Sequence, residues 1–151
     1  MQLRTEIEIN APPTVVWEVL ADRAAYQEWN PFITAFDGPL EEGKRVSIIV
    51  SPPDSSDFHF RPRVLKVIPN EELRWRGNLL FDFLFSGEHY IKLSPVGQGR
   101  TRVAHGEDFG GFFLKFLLGH MGATQKGFVY MNEALKRRSE AVFAATGSQT
   151  E

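Results

Sequence analysis

The chain has 151 residues and a formal net charge of -2, with 17 Lys and Arg against 19 Asp and Glu, and it contains no cysteine. One domain with its own core fits that length, and the balanced charge disfavours nucleic acid or an anionic membrane as partner. Disulfides, thiolate chemistry and cysteine zinc sites are excluded, which suits a reducing cytoplasm.

Residues 2–10 alternate, with Leu3, Thr5, Ile7 and Ile9 on one side and Arg4, Glu6 and Glu8 on the other, as in a strand with one wet face. The same alternation leaves no basic patch followed by an apolar block, so no signal peptide is expected. Asn10-Ala11-Pro12-Pro13 ends this strand and opens a short helix over 13–21, since proline suits the first helical turn. Asp22 is a candidate cap for a second short helix through Gln27, and Trp29-Asn30-Pro31 stops it, because the residue before proline leaves the helical region. Short strands follow over 32–37, 44–50, 58–68, 73–79, 85–93 and 101–108, separated by Pro, Gly, Asn and Ser turns. This is an antiparallel meander.

After Gly110-Gly111 the period becomes helical across 112–145, about 45 to 50 Å of helix. Phe113, Leu117, Met121 or His120, Thr124, Phe128, Met131, Leu135 and Val142 form the apolar stripe. Gly119, Gly122 and Gly127 lie in the first half, each costing about 1 kcal/mol against Ala, so close approach, a bend or a gap is expected there. Residues 1–146 read as one domain and 147–151 as a polar tail. No window reaches the roughly 18 apolar residues of a membrane span, so no stable membrane insertion is expected, and the location expected is cytoplasmic.

Strand, two short helices, six strands and a long helix resemble the START-like or SRPBCC superfamily, which includes polyketide cyclases/dehydrases and lipid-transport-like proteins. The residues that carry the resemblance are Glu6-Ile7-Glu8-Ile9-Asn10-Ala11-Pro12-Pro13-Thr14-Val15-Val16-Trp17, Trp29-Asn30-Pro31, the segment from Arg63 to Trp75, and Met131-Asn132-Glu133-Ala134-Leu135-Lys136. It spans nearly the whole chain. The fold implied is α+β, a helix-grip with a curved seven-stranded antiparallel sheet around the C-terminal helix. The function implied is binding of a small hydrophobic or amphipathic molecule, such as a lipid, polyketide or aromatic metabolite, in a cavity between sheet and helix. The resemblance is specific for fold and unspecific for function.

A symmetrical last hairpin about Gly97 pairs His89 with His105, Gly87 with Glu107 and Ile91 with Val103, all on the covered face. A turn at Asn70 likewise sets Leu65 opposite Trp75 and Val67 opposite Leu73. Continued without a bulge, that parity also turns Arg63, Arg61 and His59 inward; a bulge near Pro62 would reverse it. His89, His105 and Glu107, with His59 or Arg61 as possible additions, therefore form a polar cluster on an apolar face. Buried ionisable groups are costly unless paired or wet. Two functional readings stand beside a plain one: a polar anchor in a ligand cavity, a general acid/base pair, or a self-satisfied network that plugs the sheet.

Thirteen Phe are the outlying number in the composition, and such rings line apolar pockets well. Phe81 and Phe85 belong to the apolar stretch 77–86, expected as a lid, a strand extension or a dimer contact. Phe109, Phe112, Phe113 and Phe116 would meet it from the helix side, and Leu117, Met121 and Phe128 would wall the pocket together with Trp29 and Trp75. No helix carries metal ligands at the His-Glu-x-x-His spacing, no Gly-x-Ser-x-Gly elbow is present, and the Gly-x-Gly-x-x-Gly phosphate loop is missing; neither metal nor cofactor is expected. Arg61, Arg63, Arg74 and Arg76 read as a solvated outer face with their alkyl stems on the sheet.

Overall fold

The computed structural model describes residues 2–78, 86–110 and 121–148. β1 (Gln2–Ile9) leads into α1 (Pro13–Ala21), whose first turn is set by Pro12 in extended conformation followed by Pro13. A 3-10 turn (Arg23–Ala25) and a four-residue α2 (Tyr26–Trp29) follow, in place of the single capped helix expected after Asp22. The Asp22 side chain makes no capping hydrogen bond. Asn30 then reverses the chain: its Oδ1 accepts from the Phe32 and Ile33 N–H groups at 3.0 and 2.9 Å. That side chain supplies the first backbone partners of β2, which explains the stop at Asn30-Pro31 better than proline alone.

The strands are β2 (Ile33–Asp37), β3 (Ser47–Val50), β4 (Phe58–Phe60), β5 (Arg63–Ile68), β6 (Glu72–Asn78), β7 (Ser86–Pro95) and β8 (Thr101–Gly110). Eight strands thus replace the expected seven, because Pro62, which lacks an N–H, divides the 58–68 run into β4 and β5. They form a five-stranded antiparallel sheet in the order β1-β8-β7-β6-β5 and a three-stranded sheet β2-β3-β4. The two meet beside Pro62, where Val46 N–H donates to the Pro62 carbonyl at 3.0 Å and Val64 N–H to the Lys44 carbonyl at 2.9 Å. α3 (Met121–Ser148) lies against β1, β8 and α1, so the antiparallel strands wrap the long C-terminal helix as the helix-grip expectation requires. Residues 112–120 of the expected helix lie outside the described residues.

Two registers differ from expectation. β7 and β8 pair His89 with Glu107, Ile91 with His105 and Leu93 with Val103, two residues along from symmetry about Gly97. The cause is the turn: Val96 N–H bonds the Arg100 carbonyl, and Gly97 and Gly99 both take left-handed φ, so Gln98 is the centre. Between β5 and β6 the expected Val67–Leu73 pair is present, but a bulge at Leu65 puts Val64 opposite Trp75. Val64 is therefore fully buried, and Arg63, Arg61 and His59 face solvent instead of the core.

The core joins Ile9, Val16, Leu20, Ile33, Ile48, Leu73, Ile91 and Val103 to Phe128, Met131 and Leu135 of α3. Met131, Leu135 and the half-buried Val142 pack as ordinary core. Gly127 permits a close crossing, since a Cβ there would lie 2.2 Å from the Phe32 ring. On the outer face Arg74 is not simply solvated: it is held by Glu72 and Glu88 at 2.8 and 2.7 Å and lies over the Tyr90 ring.

Candidate functional site

Side chains alternate across a strand, so the two-residue shift in the last hairpin leaves His89, His105 and Glu107 on the inner face. Glu107 stands directly across from His89, and His105 is diagonal to it, with the two imidazole Nε2 atoms 2.7 Å apart. His89 Nδ1 lies 3.4 Å from Glu107 Oε1. Trp75 stacks on His89 with centroids 4.4 Å apart and planes 7° from parallel. From the helix side Phe128 stacks on His105 at 4.3 Å and presents an edge to His89 at 5.0 Å. The imidazoles are therefore sealed between aromatic faces, while Glu107 keeps 19% of its side-chain surface exposed.

Two further residues close the inner end. His105 Nδ1 meets Asn132 Oδ1 at 2.8 Å, Asn132 Nδ2 donates to Thr5 Oγ1 at 2.8 Å, and Thr5 Oγ1 donates to the His105 carbonyl at 2.8 Å. A hydroxyl has one proton, and that of Thr5 is spent on a carbonyl that can only accept. Thr5 must accept from Asn132, which fixes the amide with Oδ1 toward His105, so His105 carries its proton on Nδ1. With both imidazoles neutral, His105 Nε2 is the acceptor and His89 Nε2–H the donor. Every hydrogen bond in the chain is thus assigned a direction, and His89 Nδ1 is left 3.4 Å from Glu107 Oε1.

Electrostatics favour the neutral imidazoles. Burial lowers His89 to about 3, and it lowers His105 well below the usual histidine range, with the neighbouring His89 adding to the effect and Asn132 opposing it. Burial raises Glu107 to about 8, with the Asp108 charge contributing. Glu107 accordingly keeps its own proton at neutral pH. Gly87, opposite Phe109 on β7, makes the space: a Cβ there would lie 3.3 Å from the Glu107 carboxyl carbon.

Of the expected site residues, His89, His105, Glu107, Trp75 and Phe128 come together, and Phe109 follows on the same face, half-buried against the core. Trp29 stands apart, lining a surface groove with Glu18, Val19, Asp22, Ala25, Arg138 and Val142, where none of the three ionisable residues reaches. His59 and Arg61 do not join the cluster, because the 58–68 run breaks at Pro62 and the bulge at Leu65 reverses the parity before it. Phe81, Phe85, Phe113, Phe116 and Leu117 lie outside the described residues, as does the Met121 side chain. Asn132 and Thr5 were not singled out by sequence reasoning as polar partners. The available signals were that Asn132 follows Phe128 by one helical turn and that Thr5 belongs to the inward set of β1. Among the described residues no three His, Asp or Glu side chains are placed to hold a metal ion.

The family described as polyketide cyclase/dehydrase and lipid transport matches residues 1–140. The chain belongs to this family. No curated protein matches it by sequence. Among solved structures, the ZhuI aromatase/cyclase from a Streptomyces species is similar, with 17% identity, 93% of each chain covered and a TM-score of 0.74. The Thermus thermophilus protein TTHA0849 is also 17% identical, with 94% of this chain and 99% of that one covered and a TM-score of 0.73. The protein MLL2253 from Mesorhizobium loti is 22% identical over 91% of this chain and 95% of its own, with a TM-score of 0.70. At these identities the likeness establishes the helix-grip fold, which this polyketide cyclase/dehydrase family member shares.

Proposed function

We propose that this polyketide cyclase/dehydrase family member binds a small hydrophobic or amphipathic molecule between the sheet and the long helix, with Glu107 as the polar contact and His89 and His105 behind it. The observation that carries this reading is the asymmetry of the polar chain. Its inner end is closed on a backbone carbonyl, whereas its outer end is a carboxyl that the fold has to accommodate with Gly87 and that retains solvent contact. A network serving stability alone gains nothing from that last residue, since burying a carboxyl costs several kcal/mol and an apolar side chain would fill the same space. Phe128 fills the space over the imidazoles, so a ligand meets the network at Glu107. Phe109, two residues along β8 on the same face, is a described ring on that side.

A second reading, an enzyme of the cyclase or dehydratase type, is favoured by the same carboxyl. A group that keeps its proton to about pH 8 is poised as a general acid near neutrality. In that reading Glu107, not a histidine, meets the substrate, because both imidazoles are committed to bonds within the network. The cytoplasm as location, and a small molecule instead of nucleic acid as partner, belong to the proposal, as does a homodimer as possible assembly. No helix among the described residues is long and apolar enough to cross a membrane.

Native mass spectrometry of protein purified from its own source, followed by extraction of the bound small molecule, tests the binding reading directly. A stoichiometric adduct and saturable binding of an apolar dye are expected. Protein that carries no small molecule and takes up no dye would indicate a filled core and overturn the proposal.

A further inference from the structure

The groove that holds Trp29 encloses about 170 Å³, below the roughly 300 Å³ at which sites for drug-sized molecules begin, so its occupant is small. From α1 and its cap come Glu18 and Asp22, one helical turn apart, and like charges at that spacing repel. The last turn of α1 contains no basic residue, and a helix dipole disfavours anions at that end. The Asp22 side chain caps nothing, and among the described residues neither carboxylate has an ion-pair partner. Two carboxylates thus stand where the local electrostatics oppose them. From α3 comes Arg138, whose Nη2 donates to Glu28 Oε2 at 2.7 Å; that single exposed bond leaves the other guanidinium donors unused. Opposite charges therefore line one groove from two helices without pairing with each other. Val19, Val142 and the Trp29 ring supply the apolar lining, with the ring set against Tyr26 at a centroid distance of 5.2 Å and planes 70° apart.

We propose that this groove is a second binding site, for a zwitterionic amino acid with an apolar side chain. The ammonium group lies against Glu18 and Asp22, the carboxylate takes the unused donors of Arg138, and the side chain packs on Val19, Val142 and Trp29. An amine without a carboxylate would satisfy the acids and meet an uncompensated guanidinium; a carboxylate without an amine would be repelled by two acids. A small body with both charges a few bonds apart satisfies both helices, and an arginine fork is suited to a carboxylate. The site is separate from the cavity between sheet and long helix, so either can fail without the other. Charges in an open groove are screened, and dissociation constants on the order of 0.1 to 1 mM are expected.

The test titrates the full chain at neutral pH and constant ionic strength with L-leucine and L-phenylalanine, and with isoamylamine and 4-methylpentanoate, which are leucine without its carboxylate and without its amine. Imidazole-free indole signals in 15N spectra report on the groove: the Trp29 N–H should shift saturably, while that of Trp75, buried against His89, serves as reference. Leucine is expected to bind about ten-fold more tightly than either analogue, the factor that corresponds to one charge-assisted contact. Arg138→Gln should abolish the preference over isoamylamine, and Asp22→Asn the preference over 4-methylpentanoate. Glu28→Gln, which releases Arg138, should tighten leucine by up to about five-fold, the worth of an exposed ion pair. Either analogue binding as tightly as leucine overturns the inference, as does the absence of a saturable Trp29 shift with both amino acids. None of these outcomes touches the binding reading above.

Discussion

A threonine hydroxyl on the first strand decides the tautomer of a histidine on the last one. Because Thr5 accepts from Asn132, His105 is expected as the Nδ1–H tautomer and His89 as the Nε2–H tautomer, which imidazole 15N shifts distinguish without ambiguity. The opposite pair of tautomers would sink the assignment. Asn132→Leu is nearly isosteric and removes the acceptor, leaving His105 Nδ1–H and Thr5 Oγ1 without their partner in a buried site; a loss of about 1–3 kcal/mol in urea unfolding is expected. His89, His105 and Glu107 could be placed from the sequence because their facing depends on parity alone, and a slip of two residues preserves parity. Their partners could not. Asn132 and Thr5 are 127 residues apart, and only the docking of helix on sheet brings them together.

The glycines of α3 differ in what they do for the helix. A Cβ at Gly127 would sit 2.2 to 2.3 Å from the Phe32 ring, whereas nothing among the described residues lies within 4 Å of one at Gly122. Gly122→Ala should therefore stabilise by up to about 1 kcal/mol through helix propensity. Gly127→Ala should destabilise by about 1–3 kcal/mol despite the same propensity gain, as overpacking of a tight contact does, and Phe32→Leu in that background should recover part of the loss. Denaturation midpoints of the three variants check this, and equal effects at both glycines would refute it. The sequence pattern marks all three helical glycines alike, since propensity carries no information about which side chain crosses the helix. The bulge at Leu65 was hidden for a related reason: Val64 and Leu65 are both apolar, and an adjacent apolar pair does not reveal which of the two faces the core.

For the molecule as a whole, the network sets a stability optimum in pH. His89 and His105 refuse the protons that the unfolded chain accepts below its ordinary value of 6.5, so stability falls as pH drops under that point. Glu107 holds a proton that the unfolded chain releases above 4.5, so stability also falls as pH rises from 4.5 to about 8. Two histidines outweigh one carboxyl below 6.5, and above it the carboxyl acts alone. Stability from urea unfolding should peak near pH 6.5 and decline toward pH 8 by less than about 1.4 kcal/mol per pH unit, the limit set by one proton. Glu107→Gln should abolish the alkaline decline and keep the acidic one; a wild-type midpoint that climbs from pH 6.5 to 8 would contradict the neutral-acid assignment. The architecture that holds this network was legible from strand spacing and turn residues, down to a core of Met131 and Leu135 under the helix. The division into two sheets was not, because it hangs on the single missing N–H of Pro62. The polar chain also runs from β8 through α3 to the neighbouring strand β1, yet it is no conduit for protons. An imidazole passes a proton on by taking one at one nitrogen and releasing one at the other, whereas the amide of Asn132 has no comparable step. Proton hopping between the imidazoles therefore stops at His105, and the Thr5 hydroxyl takes no part in it.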